Sequence, residues 1–206
     1  MYTRRSGLIL GFHGCDKSIV DKVISGETTL KLSENKYDWL GHGIYFWEHS
    51  PARALEFAEK LKKNPQQAKN PIKDPAVIGA VIDLGMCLDL LDYGNLKLVK
   101  AGYDSLNEIY KIAGRPGLPM NRSPKNSKER LLRELDCAVM ETVHLEMKQA
   151  GKPPFDSVRG VFSEGEELYP DAGFNEKDHI QICIRNPNCI KGYFHPLLEN
   201  GRFPLV

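Results

Sequence analysis

The sequence predicts a single domain of the α+β class. Its 206 residues suit one domain with room for an insertion, since a typical domain has roughly 150 residues. With 41% hydrophobic and 27% charged residues, the composition excludes a disordered tail, a collagen-like fibre and a disulfide miniprotein. Helical patterns cluster before and between strand-like runs rather than alternating strictly with them. That order favours α+β over a doubly wound sheet.

The first half of the chain predicts two strands, each followed by a helix. Residues 8–12 form an apolar run that ends in His13-Gly14, and a second strand covers residues 43–47. Asp16 is suited to cap the first helix and Gly26 to end it. Ser50, followed by proline at the first helical position, marks the start of the second helix. Between the first helix and the second strand, residues 28–42 predict a loop.

The second half predicts two helices and several strands. A core strand and its exit cover residues 76–91, and helices cover residues 94–113 and 129–148. The segment 114–128 contains three prolines and two glycines and predicts a loop. Three further strands follow, separated in part by an acidic loop at 163–178; they cover residues 157–162, 179–185 and 189–194.

Charge and cysteine content exclude several classes of protein. Lys and Arg number 28 against 27 Asp and Glu, a balance that disfavours coating of nucleic acid or membrane through bulk charge. No window approaches about 18 consecutive apolar residues, and the N-terminal apolar stretch is too short for a signal peptide. We therefore expect a cytoplasmic protein without a membrane partner. The five cysteines are odd in number and lack metal-site spacing, which predicts buried free thiols and no metal; they are Cys15, Cys87, Cys137, Cys183 and Cys189.

Two short motifs carry the chemistry that the sequence suggests. His13-Gly14 ends the first strand, and Gly43-Ile44-Tyr45-Phe46 forms the second. An imidazole can bond a ribose hydroxyl, a glycine lets the backbone approach a ligand, and a tyrosine ring can stack on a heteroaromatic ring. Each motif alone is also typical of structural residues in a core. Standard dinucleotide, P-loop, zinc-protease and serine-hydrolase motifs are absent from the sequence.

Together with the helix S-P-A-R-A-L-x-F-A, these motifs resemble the ADP-ribosyltransferases of the H-Y-E clade, the branch of the poly-ADP-ribose polymerases. The resemblance implies a split, two-sheet α+β fold that holds NAD in a cleft between the sheets. Over the chain it implies one domain at residues 1–206, with a helical and basic-loop insertion at about residues 93–150.

The resemblance also assigns roles to individual residues. His13 would bond a ribose of NAD, Gly14 would hold the nicotinamide carboxamide through its backbone, and Tyr45 would stack on the nicotinamide ring. The remaining pocket residues would be Gly43, Ser50 and Phe57.

The third catalytic position departs from the family pattern. The family places a glutamate there, which stabilises the cationic transition state as nicotinamide leaves. Here Gln181 occupies the expected place, and a neutral amide accepts a hydrogen bond without supplying charge. Glu164 and Glu176 in the preceding loop are the alternative carboxylates.

Two further segments have candidate roles. Tyr169 and Phe174, in the acidic loop, would touch the acceptor substrate or pack on the surface. A basic stretch would face the NAD pyrophosphate or a nucleic-acid acceptor, although a solvated loop is the commoner explanation; it comprises Arg115, Arg122, Lys125, Lys128, Arg130 and Arg133. Arg133 is also placed to form a local ion pair with Asp136.

The resemblance therefore predicts an enzyme, an ADP-ribosyltransferase that uses NAD as substrate, needs no metal and modifies a protein or a nucleic acid. Its small size suggests, by analogy only, a bacterial toxin or defence effector with an antitoxin or immunity protein as partner. The alternatives are an NAD glycohydrolase, a non-catalytic module that binds NAD or ADP-ribose, and a 2′-phosphotransferase acting on tRNA.

Overall fold

A computed structural model describes residues 7–67, 70–123 and 131–197. Helices and strands within these ranges are mixed along the chain, and the α+β class is confirmed. The elements are β1 (Ile9–Asp16), α1 (Lys17–Ile24), β2 (Ile44–Glu48), α2 (Pro51–Lys63), β3 (Pro75–Ile82), β4 (Cys87–Asp89), α3 (Tyr93–Ile112), β5 (Asn121–Arg122), β6 (Leu132–Arg133), α4 (Glu134–Gln149), β7 (Ser157–Phe162), β8 (His179–Ile184) and β9 (Ile190–Phe194).

Seven of the described strands form one sheet in the order β4-β7-β8-β2-β1-β3-β9, and β5 and β6 form a two-stranded ribbon. Among the described strands, only β4 and β7 run parallel. The two separate sheets that the resemblance implies are therefore replaced by one sheet with a narrow junction. At this junction, β1 and β2 share two residue pairs, Gly11–Glu48 and Phe12–Trp47, whereas β1 and β3 share eight.

Successive side chains of a strand point to opposite faces, so the sheet has two distinct sides. On one side, called here the α1 face, Val20 and Val23 of α1 pack against buried strand residues such as Phe46 and Ile182. On the other side, called the α2–α4 face, α4 packs on the β4, β7 and β8 region. Ala54 of α2 packs on Phe12 and Trp47 on that same side.

Most predicted boundaries are confirmed to within a residue or two. The Asp16 side chain accepts a hydrogen bond from the Ser18 N–H at the start of α1, and Ser50 accepts one from Arg53 at the start of α2. Gly26 follows α1 with a φ of 79°. The last three strands lie where their apolar runs predict them. The strand β1 continues past His13 and Gly14 to Asp16, and residues 76–91 contain two strands rather than one.

The start of α4 corrects the prediction of a helix from residue 129. The helix begins at Glu134, and Leu132–Arg133 instead pairs with Asn121–Arg122. The Asn121 side-chain oxygen accepts from the Leu135 and Asp136 N–H groups, at 3.0 and 3.2 Å. The capping residue thus lies 14 positions from Leu135 along the chain. A local N-cap pattern covers only neighbouring residues and could not indicate it.

All five cysteines are buried and free, as the apolar surroundings of several of them suggest. Burial raises the pKa of Cys15, Cys137 and Cys189 to about 11, so these thiols are protonated near neutral pH. No helix in the described ranges is long and apolar enough to span a membrane.

Replacing Asn121 by Ala should lower the free energy of unfolding by about 1 kcal/mol, because two N–H groups at the start of α4 lose their shared acceptor. Urea denaturation measures the change. Asn188→Ala, at an exposed turn, is the matched control and should change stability by less than about 0.5 kcal/mol. Equal stability of both variants would show that Asn121 does not cap α4.

Candidate functional site

The candidate site begins where β1 and β2 separate. The His49 N–H donates to the Leu10 carbonyl at 3.0 Å, and Phe12 pairs with Trp47. Backbone groups along a strand alternate in direction, so those of Gly14 also point toward β2. The ladder ends at Phe12, however, and does not reach Gly14. The gap bounded by His13, Gly14 and Tyr45 is called here the β1–β2 notch.

The His13 side chain fills part of this notch. Its Nδ1 lies 2.8 Å from the backbone oxygen of Tyr45, the atom that would accept from Gly14 if the ladder continued. A carbonyl only accepts, so Nδ1 carries the proton and Nε2 is left as an acceptor. Burial lowers the pKa of His13, although the Tyr45 carbonyl opposes this. The imidazole is therefore neutral near pH 7, as an acceptor of a ribose hydroxyl would need to be.

Gly14 is required by close packing as well as by its position in the notch. A Cβ at this position would lie 1.9 Å from the Ala54 carbonyl oxygen of α2, far inside a van der Waals contact. Helix α2 therefore packs directly on the backbone of β1. The backbone edge of Gly14 stays directed at the notch, which is the geometry that binding of a ligand amide would use.

Tyr45 lies on β2 opposite Gly14, and its hydroxyl is committed to the protein. The hydroxyl donates to the Gly41 carbonyl at 2.7 Å and accepts from the Leu40 N–H at 3.1 Å. Burial raises the pKa of Tyr45 well above its ordinary value, and the ring packs beside Cys183. Tyr45 therefore holds the preceding loop in place. Gly43 has a similar role, since its bridge to Ser33 closes that loop.

Helix α4 holds the same loop from the other side. Glu141 accepts from the His42 N–H at 2.8 Å and pairs with Arg185 at 2.6 Å. Arg185 in turn donates to the His42 carbonyl at 3.0 Å. The sequence analysis missed Glu141 and Arg185, because no local pattern links positions 42, 141 and 185.

Gln181 offers chemistry different from that of the expected glutamate. The Trp39 indole N–H donates to the Gln181 Oε1 at 2.8 Å. One lone pair of the side-chain oxygen is therefore used by Trp39, and the amide N–H₂ group is the donor of this side chain. Glu164 is ion-paired with Arg53 of α2 at 2.9 Å, whereas Glu176 is exposed on the loop.

Around Gln181 lies a group of rings on the α2–α4 face. Ring centroids are 5.0 Å apart for Trp47–Phe57, 6.2 Å for Trp47–His179, 5.5 Å for Phe162–His179 and 4.5 Å for Trp39–Phe162. We call this group the aromatic cluster; it comprises Trp39, Trp47, Phe57, Phe162 and His179. Phe57, a predicted pocket residue, is the exposed member at 40%. The sequence analysis missed the other four, although the two tryptophans closely flank the second motif.

A shallow groove of about 440 Å³ runs along the ends of β2, β7 and β8 beside the cluster. Its lining residues are Glu48, His49, Ser50, Val161, Asp178, His179 and Ile180. His49 has a φ of 52°, in the left-handed region that non-glycine residues seldom adopt. The next residue, Ser50, is a predicted pocket residue; it caps α2 and also borders the groove.

The acidic loop after β7 is attached to α2 at both of its ends. Glu164 pairs with Arg53 at 2.9 Å, and Lys177 pairs with Glu56 at 2.6 Å. Between these ion pairs, Tyr169 and Phe174 are 55% and 62% exposed. More than half of each side chain is therefore accessible to solvent.

The described part of the basic stretch is engaged in local contacts. Arg115 stacks on Tyr110, and Arg122 pairs with Glu134. Arg133 forms the predicted ion pair with Asp136 at 3.2 Å and also lies over the Phe162 ring. Three members lie outside the described residues; they are Lys125, Lys128 and Arg130.

Among the described residues, no group of three or more His, Cys, Asp or Glu side chains is arranged to hold a metal ion. Comparison of the chain with protein-family models, with curated proteins and with solved structures gave no match. The function is therefore argued from the site itself.

Replacing His13 by Ala should destabilise the fold by about 1–3 kcal/mol, because the buried Tyr45 carbonyl loses its donor. His13→Asn should recover most of this loss, since the asparagine N–H₂ group can donate where Nδ1 does. Urea denaturation compares the two variants. If His13→Asn is as unstable as His13→Ala, the Nδ1 bond is not what holds the notch.

Proposed function

We propose that the protein is an NAD-dependent ADP-ribosyltransferase. The observation that carries the proposal is the β1–β2 notch, where a neutral His13 Nε2 acceptor lies beside the Gly14 backbone. A ribose hydroxyl can donate to that nitrogen. The glycine backbone can hold a carboxamide through one donor and one acceptor. The sequence motifs that resemble the transferase family meet at this notch, although they are about 30 residues apart in the chain.

The reaction would break the bond between C1′ of the ribose and the nicotinamide nitrogen. The electron pair leaves with nicotinamide, which becomes neutral, and the ribose acquires cationic character. A nucleophile of the acceptor then bonds to C1′ and loses its proton. The notch would orient the dinucleotide for this step, and Gln181 would donate its N–H₂ group to a ribose oxygen.

One observation favours a second candidate function, that of a non-catalytic module which binds NAD or ADP-ribose. Gln181 is a neutral amide whose oxygen already accepts from the Trp39 indole N–H, so the side chain at this position offers no charge to the developing cation. Electrostatic stabilisation of that cation is the role that the family's glutamate has. An NAD glycohydrolase would use the same notch with water as the acceptor.

His13→Asn should abolish NAD cleavage while keeping the fold, because the variant retains the donor to Tyr45 and loses the Nε2 acceptor. Nicotinamide release and the ADP-ribose products are measured by mass spectrometry after incubation with NAD and a cell lysate. His195→Asn, at an exposed position, is the matched control. The absence of nicotinamide release by the wild-type protein, with NAD binding seen by calorimetry, would establish the binding module instead. Free ADP-ribose without a modified macromolecule would indicate the glycohydrolase.

Gln181→Glu should raise the rate of nicotinamide release by about tenfold or more, because one carboxylate oxygen can keep the Trp39 bond while the other brings charge to the site. The exposed Gln149→Glu is the control for the added charge. An unchanged or lower rate for Gln181→Glu, with normal stability, would show that position 181 is not the third catalytic position.

A further inference from the structure

We propose that His144 of α4 is an acid-sensitive switch for the loop that precedes β2. When the imidazole takes up a proton, it draws the Glu141 carboxylate away from Arg185 and from the His42 N–H, and the loop is released. Two observations carry the inference: the ring is buried with unmet hydrogen bonds, and it lies beside this ion pair. The switch belongs to the scaffold and is independent of NAD binding.

The His144 side chain is buried in an apolar setting. It is 6% exposed, and its ring meets that of Phe155 edge to face, with 5.9 Å between the centroids. Both ring nitrogens are buried and have no hydrogen-bond partner among the described residues. A neutral imidazole has one donor and one acceptor, and buried polar groups are nearly always hydrogen-bonded. Packing alone would favour an apolar side chain here, so the histidine indicates a different role.

Charged and titratable groups face His144 from each element around it. Glu141 lies three residues earlier on α4, which places both side chains on the same side of the helix. Arg185, after β8, pairs with Glu141 at 2.6 Å, and the two act on the imidazole in opposite directions. On the loop, the His42 ring lies 3.7 Å from the Glu141 carboxylate. Before β7, the Asp156 carboxylate is already engaged, since it accepts from a backbone and a side-chain amide at 2.9 and 2.8 Å.

The ring is neutral near pH 7, whereas the carboxylate beside it is charged. Burial and the nearby Arg185 lower the pKa of His144 to about 4, although Glu141 opposes this. Burial favours the protonated form of Glu141, but the hydrogen bonds from Arg185 and from the His42 N–H outweigh it and lower the pKa of Glu141 below its ordinary value of 4.5. Glu141 is therefore still a carboxylate when His144 begins to take up a proton.

A protonated His144 ring needs a new partner. An imidazolium has two N–H donors, and neither ring nitrogen has an acceptor among the described residues in the neutral state. A buried cation next to Arg185 without compensation is costly. Glu141 is the carboxylate on the same side of the helix, so turning it from Arg185 to His144 removes that cost.

This exchange would free the loop that supports Tyr45. The Glu141 carboxylate accepts from the His42 N–H at 2.8 Å, and the adjacent Gly41 carbonyl accepts from the Tyr45 hydroxyl at 2.7 Å. After the exchange, the loop keeps its bond to Tyr45 and loses this hydrogen bond to α4. Because Tyr45 bounds the β1–β2 notch, acid loosens the notch from the side of β2.

Acid destabilises the fold through His144. The unfolded chain binds a proton at the ordinary pKa of 6.5, whereas the folded protein binds it at a pKa of about 4. The stability that the neutral ring provides is therefore present above pH 6.5 and is lost as the pH falls toward 4. Between about pH 7.5 and about pH 5, this residue alone should raise the equilibrium constant of unfolding about 30-fold.

Urea denaturation of the full-length protein at these two pH values measures the effect. The unfolding constant of the wild type should rise by a factor about 30 times larger than that of His144→Leu, which fills the apolar site without a titrating group. His195→Leu, at an exposed position, is the matched control and should keep the wild-type response. His13 and His179 are also buried, and they contribute alike to all three proteins.

NMR of the wild-type protein tests the exchange itself and does not depend on whether the variants fold. The imidazole signals of His144 should titrate with a midpoint at least about one pH unit below the ordinary pKa. The backbone N–H signals of His42 and Leu40 should change with the same midpoint. In His42→Asn the Leu40 signal should still change, which separates the exchange from titration of the His42 ring.

The proposal is overturned if the His144 imidazole titrates near its ordinary pKa, or if folded His144→Leu loses stability in acid as the wild type does. It is also overturned if His144 titrates at low pH while the His42 and Leu40 N–H signals do not follow, since the ring would then not act on the loop. None of these outcomes depends on NAD cleavage, so the switch and the proposed function succeed or fail separately.

Discussion

The hydrogen bond from His13 to the Tyr45 carbonyl is the contact on which the site depends. The β1–β2 ladder ends at Phe12, so no ladder N–H of β1 bonds the Tyr45 carbonyl. The imidazole supplies the donor at 2.8 Å, and the carbonyl is therefore satisfied where the strands separate. One neutral side chain thereby lies in a gap in the middle of a seven-stranded sheet.

The gap persists because both sides of the notch are held by packing and hydrogen bonds. On β1, the contact of Gly14 with Ala54 fixes α2 against the strand. On β2, the Tyr45 hydroxyl joins the loop before the strand, and Glu141 of α4 bonds the same loop with Arg185. The segment treated in the sequence as an insertion is therefore part of the scaffold that positions the site.

Local patterns in the sequence were sufficient for the elements whose signals are short-ranged. Ser50 and its following proline start α2, and the apolar runs of the last three strands define their ends, because capping and alternation act over a few residues. The predicted start of α4 was wrong because the residue that caps the helix, Asn121, lies on β5 of the two-stranded ribbon and not next to the helix in the chain. The single sheet was also not predicted. It forms because β1 pairs with β2, and hydrophobic periodicity indicates strands but not which strands pair.

In the candidate site, too, residues marked by short-range patterns could be predicted and residues that depend on distant contacts could not. His13, Gly14 and Tyr45 were proposed from motifs, since each lies within a few residues of a recognisable strand end. Trp39 and His179 could not be found in this way. Trp39 bonds Gln181, which lies 142 residues away in the chain. The Nε2 atom of His179 is buried without a hydrogen-bond partner among the described residues, and no sequence pattern indicates that. The bond from Trp39 also shows that the Gln181 oxygen already accepts one hydrogen bond within the protein.

The path from β2 to α2 connects the notch with the aromatic cluster. Arg159, a buried cation, bonds Glu48 at 2.5 and 3.0 Å and pairs with Asp89 at 3.2 Å. Removing one partner of such a buried group is costly because it leaves a charge uncompensated, so the end of β2 is firmly held. The chain then turns through the left-handed His49 into the cap of α2. Because this turn is fixed at both ends, Trp47 on β2 and Phe57 on α2 meet at one place, and the cluster forms beside the notch rather than apart from it.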